Sequence, residues 1–100
     1  MEKAKVYYTK NITSDSLIKI YDALGVKLEG NVAVKVSTGE AGSKGYLKAD
    51  LIGPLVQKIG GTIVECNTAY NGRRNTKEEH LKVAEEHGFT KFANVDIMDG

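Results

Sequence analysis

Arg73 and Arg74 stand side by side just ahead of a run with the signs of a helix start. The positive end of a helix dipole repels guanidinium groups. An anion set among them reverses that sign, because unpaired helix amides and arginine forks both favour phosphate or carboxylate. The stretch Asn67-Thr68-Ala69-Tyr70-Asn71-Gly72-Arg73-Arg74-Asn75 is therefore a candidate anion site centred on residues 72–76, with Asn67, Thr68 and Tyr70 orienting the ligand. The competing reading is that Glu78 and Glu79 neutralise the arginines at the surface, where ion pairs form easily and add little.

A second polar stretch runs Ser37-Thr38-Gly39-Glu40-Ala41-Gly42-Ser43-Lys44-Gly45-Tyr46. Its glycines let a backbone approach a ligand and turn amides inward. Their spacing matches neither the dinucleotide fingerprint nor the P-loop, and Lys44 does not precede a Ser or Thr at a helix start. The other reading is a surface connection. Glu40 and Asp99 are candidate acids, bases or metal ligands at one sheet edge, or else solvated carboxylates. Tyr46 and Tyr70 stack on a ligand or anchor their loops. His80 falls in the first turn of a helix near the second loop, as a ligand contact or a packing residue. His87 lies seven residues on, near the other helix end, so the two make no metal pair. Cys66 ends a strand and is expected to be buried and inert. One cysteine cannot hold an iron–sulfur cluster, which takes about four ligands. No nucleophile–base–orienter set can be assembled.

The elements that hold these residues alternate. Lys5-Val6-Tyr7-Tyr8-Thr9 reads as a first strand, and a helix follows through Leu17, Ile20, Tyr21 and Leu24 to Gly25. Val32 to Val36 is a second strand, nearly continuous in apolar residues, as expected of a strand covered on both faces. A second helix uses Leu51, Ile52, Leu55, Val56 and Ile59. It either starts late, placing Pro54 in its first turn, or bends there. Thr62 to Cys66 is a third strand. A third helix is capped by Asn75 or Thr76, carries Leu81 and Ala84 inward, and ends at Gly88, with Phe89 folding back on its last turn. Val95 to Met98 opens a fourth strand. The order predicts one α/β domain over residues 1–100. It is a Rossmann-like three-layer sandwich around a small, mainly parallel sheet of three or four strands. Ligands collect outside the carboxyl ends of such strands, and both polar stretches leave from that edge.

Composition removes other classes. The 14 basic residues are scattered and nearly balanced by 13 acidic ones, which does not make a nucleic-acid footprint. No apolar run approaches a membrane span, and the charged N-terminal residues are unlike a signal peptide. A lone cysteine fits a reducing cytoplasm.

Several short blocks carry a resemblance. Val32-Ala33-Val34-Lys35-Val36-Ser37-Thr38-Gly39-Glu40, Gly45-Tyr46-Leu47 and Gly60-Gly61-Thr62 resemble the start of the domain-of-unknown-function family 362, whose members are often labelled uncharacterised Fe–S-centre proteins. Asn67 to Thr76, His80 and Glu86-His87-Gly88-Phe89 resemble its next segment. Many relatives have a histidine and an aromatic at Ser37 and Thr38, and a proline at Ala49, so any role of that histidine does not carry over. The resemblance implies an α/β domain and, in many members, a ferredoxin-like module with Cys-x-x-Cys ligands further along. It implies that this chain is an N-terminal part of a longer family domain, with a cluster only in the longer protein.

The expected function is thus a ligand-binding, anion-binding α/β domain of an iron–sulfur redox protein. Ser37, Thr38, Gly39, Glu40, Tyr46, Asn67, Thr68, Tyr70, Gly72, Arg73, Arg74 and His80 are its candidate site. The expected partners are a small anion and either the rest of the same protein or a second copy. The alternative is a docking or oligomerisation domain with no activity of its own.

Overall fold

The computed structural model describes residues 3–98, so the expectation for Asp99 lies outside the described residues. Helix α1 (Ser14–Leu24), strand β1 (Ala33–Lys35), helix α2 (Ala49–Ile59), strand β2 (Thr62–Glu65) and helix α3 (Lys77–Glu86) follow in order. A 3-10 turn (Phe89–Lys91) and strand β3 (Val95–Ile97) complete them. The three strands are parallel in the order β1-β2-β3, which is the expected small parallel α/β fold.

Local chemistry sets the helix ends. The Thr13 hydroxyl accepts from the Ser16 amide at 3.1 Å to open α1, and Gly25 closes it in the left-handed region at φ 67°. Thr76 opens α3 in the same way, accepting from the Glu79 amide. α2 starts at Ala49, so the late-start reading of Pro54 is wrong. The helix runs through the proline, which lacks the amide that would reach the Asp50 carbonyl.

The sheet pleat decides what is buried. Val34, Ile63 and Val95 are paired across the sheet, and so are Glu65 and Ile97, which puts them on one face with Val36. There Val36, Ile63, Ala49, Val56 and Phe89 form the core. On the other face Ala33, Lys35 and Asp96 lie exposed, and Val64 of the central strand between them is buried. Sequential strand order with right-handed crossovers carries α2 and α3 to the same side. The continuous apolar run of β1 is therefore covered on one face rather than two, and among the described residues the helices form a layer on that face alone. A three-layer arrangement is not seen in them. α1 packs on α2, where Lys58 bonds Asp22 at 3.2 Å.

The strand expected at residues 5–9 is absent. These residues have no ladder partner among the described residues, and Val6 and Tyr8 are 87% and 81% exposed. β-propensity records a fit to a pleated neighbour, and no described strand lies beside these residues.

Gly53 gives a test of the packing. A Cβ there would sit 2.2 Å from Phe92 Cγ. Gly→Ala inside a helix ordinarily stabilises by about 0.5–1 kcal/mol. We expect Gly53→Ala to destabilise instead, by about 1–3 kcal/mol in urea unfolding, because the ring must move. A rise in stability would show that Phe92 is not fixed against α2.

Candidate functional site

Glu65 ends β2 with its side chain turned to the helix face, and it is 4% exposed. Its Oε2 accepts from the Thr38 amide at 3.2 Å, the Thr38 hydroxyl at 2.5 Å and His80 Nε2 at 2.8 Å. Its Oε1 accepts from Arg74 Nη1 at 2.9 Å. A buried carboxylate is tolerable only when its oxygens are met this fully. The buried stripe of α3, His80 with Val83 and Ala84, brings the imidazole down onto it. His80 Nδ1 lies 3.1 Å from the Asn67 side-chain oxygen.

Arg74 joins this buried set to the solvent edge. Its Nη2 donates to Glu40 Oε1 at 2.6 Å and to the Tyr70 hydroxyl at 3.1 Å, and that hydroxyl donates in turn to Glu40 Oε1. Its Nε is buried and has no hydrogen-bond partner among the described residues. Burial opposes the Arg74 charge, but the bonds to Glu40 and Tyr70 and the nearby carboxylates outweigh it and raise its pKa. Glu40 is reached because Gly39 turns at φ 92° directly against Tyr46, where a Cβ would stand 2.6 Å from that side chain.

Arg73 points elsewhere. Nη1 and Nη2 each donate to Glu86 at 2.9 Å, and Nε to Glu79 at 3.3 Å. The repulsion between the arginines and the helix is thus met by Glu40, Glu65, Glu79 and Glu86. Of the two carboxylates expected to do this, Glu79 does so and Glu78 forms no ion pair among the described residues.

The Arg73 hydrogen bonds hold the Glu86 carboxyl below its ordinary 4.5, and those from Arg74 and then Tyr70 do the same for Glu40. A depressed carboxyl contributes stability above its unfolded pKa and loses it as pH falls through the lower folded value. We expect stability to decline as pH drops below about 4.5, and Glu86→Gln to reduce that decline. Unfolding midpoints taken between pH 3 and 6 give the comparison; an unchanged slope in the variant removes Glu86 as a contributor.

An open cleft of about 460 Å³ lies over the first loop, lined among others by Lys35, Ser37, Glu40, Ser43, Tyr46 and Arg74. Tyr46 is stacked on His87 with ring centroids 4.0 Å apart, and Lys48 Nζ stands 3.9 Å from the Tyr46 ring centre. His87 Nδ1 donates to the Thr38 carbonyl at 2.6 Å, which leaves Nε2 without the proton in the neutral ring.

The structure therefore brings the two loops together through Glu40, Tyr70 and Arg74, and gathers Thr38, Asn67 and His80 about Glu65. Ser37, Gly39 and Tyr46 line the cleft. Thr68 supports its own loop by donating to the Tyr70 carbonyl at 3.1 Å, and Gly72 accepts from the Asn75 amide at 3.3 Å. Arg73 is not part of the cleft. Glu65, His87 and Lys35 were missed. Glu65 had a signal: a carboxylate next to Ile63 and Val64 in a central strand must have buried partners. Cys66 is exposed, not buried, because it falls on the uncovered side of the pleat just past β2.

An iron–sulfur cluster does not fit these side chains. There is one thiol, and no group of three or more His, Cys, Asp or Glu is arranged for a metal among the described residues. No described helix is long and apolar enough to cross a membrane. The fold and site define a small parallel α/β domain with a polar cleft at its strand exits. Compared with protein-family models, curated proteins and solved structures, the chain matches none.

Proposed function

We propose that this chain is a ligand-binding domain that takes a small anion in the cleft between the 37–47 loop and Arg74. The observation that carries this is the state of Arg74, a mostly buried guanidinium with one partner fixed and one exchangeable. Glu65 is buried and saturated, whereas the Glu40 side chain is 46% exposed. An anion entering from solvent replaces Glu40 on Nη2 without disturbing Glu65. Lys35 also borders the cleft, with its side chain leaving β1 on the face opposite Glu65. The resemblance to family 362 supports a redox protein in which any iron–sulfur module lies outside these residues, and the lone cysteine fits a reducing cytoplasm.

Titration with inorganic phosphate and with acetate, followed by amide chemical shifts, tests the proposal. We expect saturable shifts at residues 37–47 and at Arg74 in the millimolar range. Silence of those amides at millimolar anion sinks it. The exposed Val6 and Tyr8 favour a second reading, a domain that docks a partner or a second copy through residues 5–9. A clean monomer in sedimentation removes the second-copy form of that reading.

A further inference from the structure

We infer that Glu40 is a built-in stand-in for the ligand, so that the cleft selects a monocarboxylate with a small apolar body over phosphate. This rests on the anion-binding reading above and names the class of anion. Both recorded bonds to Glu40 fall on one oxygen, Oε1, from Arg74 Nη2 and the Tyr70 hydroxyl. A carboxylate from solution satisfies the same two donors with the same charge. A phosphate dianion brings a second negative charge close to Glu65, whose own charge Arg74 already offsets at 2.9 Å.

The surroundings favour exchange. Glu40 lies between Gly39 and Gly42, both in the left-handed region at φ 92° and 76°. Its half-exposed side chain returns to water at little cost once displaced. Beyond it the cleft wall turns apolar through Val36, Tyr46 and Leu47. A volume of about 460 Å³ holds a small organic acid. The internal carboxylate acts as a competitor, and apparent affinity falls by the fraction of molecules in which it occupies Arg74.

Butyrate and inorganic phosphate are titrated separately into the wild-type chain, Glu40→Gln and Glu40→Ala at pH 7, with amide shifts as readout. The alanine variant is included because a glutamine oxygen can still sit on Arg74. We expect butyrate to bind tighter than phosphate to all three proteins, and about tenfold tighter to Glu40→Ala than to wild type. Anion binding with no gain for butyrate in either variant overturns the inference and leaves the cleft reading standing. Phosphate binding tighter than butyrate to the wild type does the same. No shift with either anion in any of the three proteins overturns the cleft reading itself, and the inference with it.

Discussion

Glu65→Ala is expected to lower the unfolding free energy by about 3–5 kcal/mol, the range for removing one partner from a buried ionic set. The size follows from what is left behind. His80 and Thr38 are both fully buried and lose their acceptor, and Arg74 Nη1 loses the carboxylate that balances it. Thr38 Oγ1 and His80 Nε2 lie 3.3 Å apart and can bond each other, but that contact brings no negative charge to Arg74 Nη1. A small domain is stable by only about 5–15 kcal/mol in all, so the loss is a large share of the total. Thr38→Val should cost less, about 1–3 kcal/mol, because it removes one donor and leaves the ion pairs in place. Urea unfolding of both variants gives the order. A Glu65→Ala effect below that of Thr38→Val would mean that water replaces the carboxylate and that the set is not closed.

The same residues show what sequence reading reaches. α1 and α3 announce themselves, because Thr13, Gly25, Thr76 and Gly88 act on neighbours three or four positions away. Such short-range chemistry survives in a linear pattern. Residues 5–9 mislead for the opposite reason. Lys5-Val6-Tyr7-Tyr8-Thr9 has strand composition whether or not an edge is there to receive it. Glu40 and Arg74 were both legible as candidates, each on its own loop. Their bond spans 34 positions, as fixed by the parallel pairing of β1 with β2, and no spacing rule contains it. The charge argument at Arg73 and Arg74 pointed to an external anion or to Glu78 and Glu79, whereas the ion pairs found run to Glu40, Glu65, Glu79 and Glu86. These are the chain's own carboxylates, two of them reached only through the fold.

Phe89→Ala is the second large effect, expected at about 3–5 kcal/mol. Residue 89 was read as folding back onto the last turn of its helix. It also enters the centre of the core with Val36, Ala49, Val56 and Ile63, and is fully buried. Gly88 makes this possible by turning the chain at φ 87° directly ahead of it. The ring also supports the site. Its centroid lies 6.2 Å from that of Tyr46, which stacks on His87, which in turn holds the Thr38 carbonyl beside the Glu65 cluster. Truncation therefore opens a cavity beneath the first loop as well as within the core. Phe89→Leu keeps most of the volume and should cost clearly less than the alanine change. Hydrogen exchange separates the two consequences. In Phe89→Leu we expect faster exchange at Thr38 to follow any loosening of Tyr46, while the amides of α1, which packs on α2 away from this ring, keep their relative protection. Uniform acceleration across the chain would mean that the core and the cleft open as one unit, and that Phe89 supports the site only through global stability.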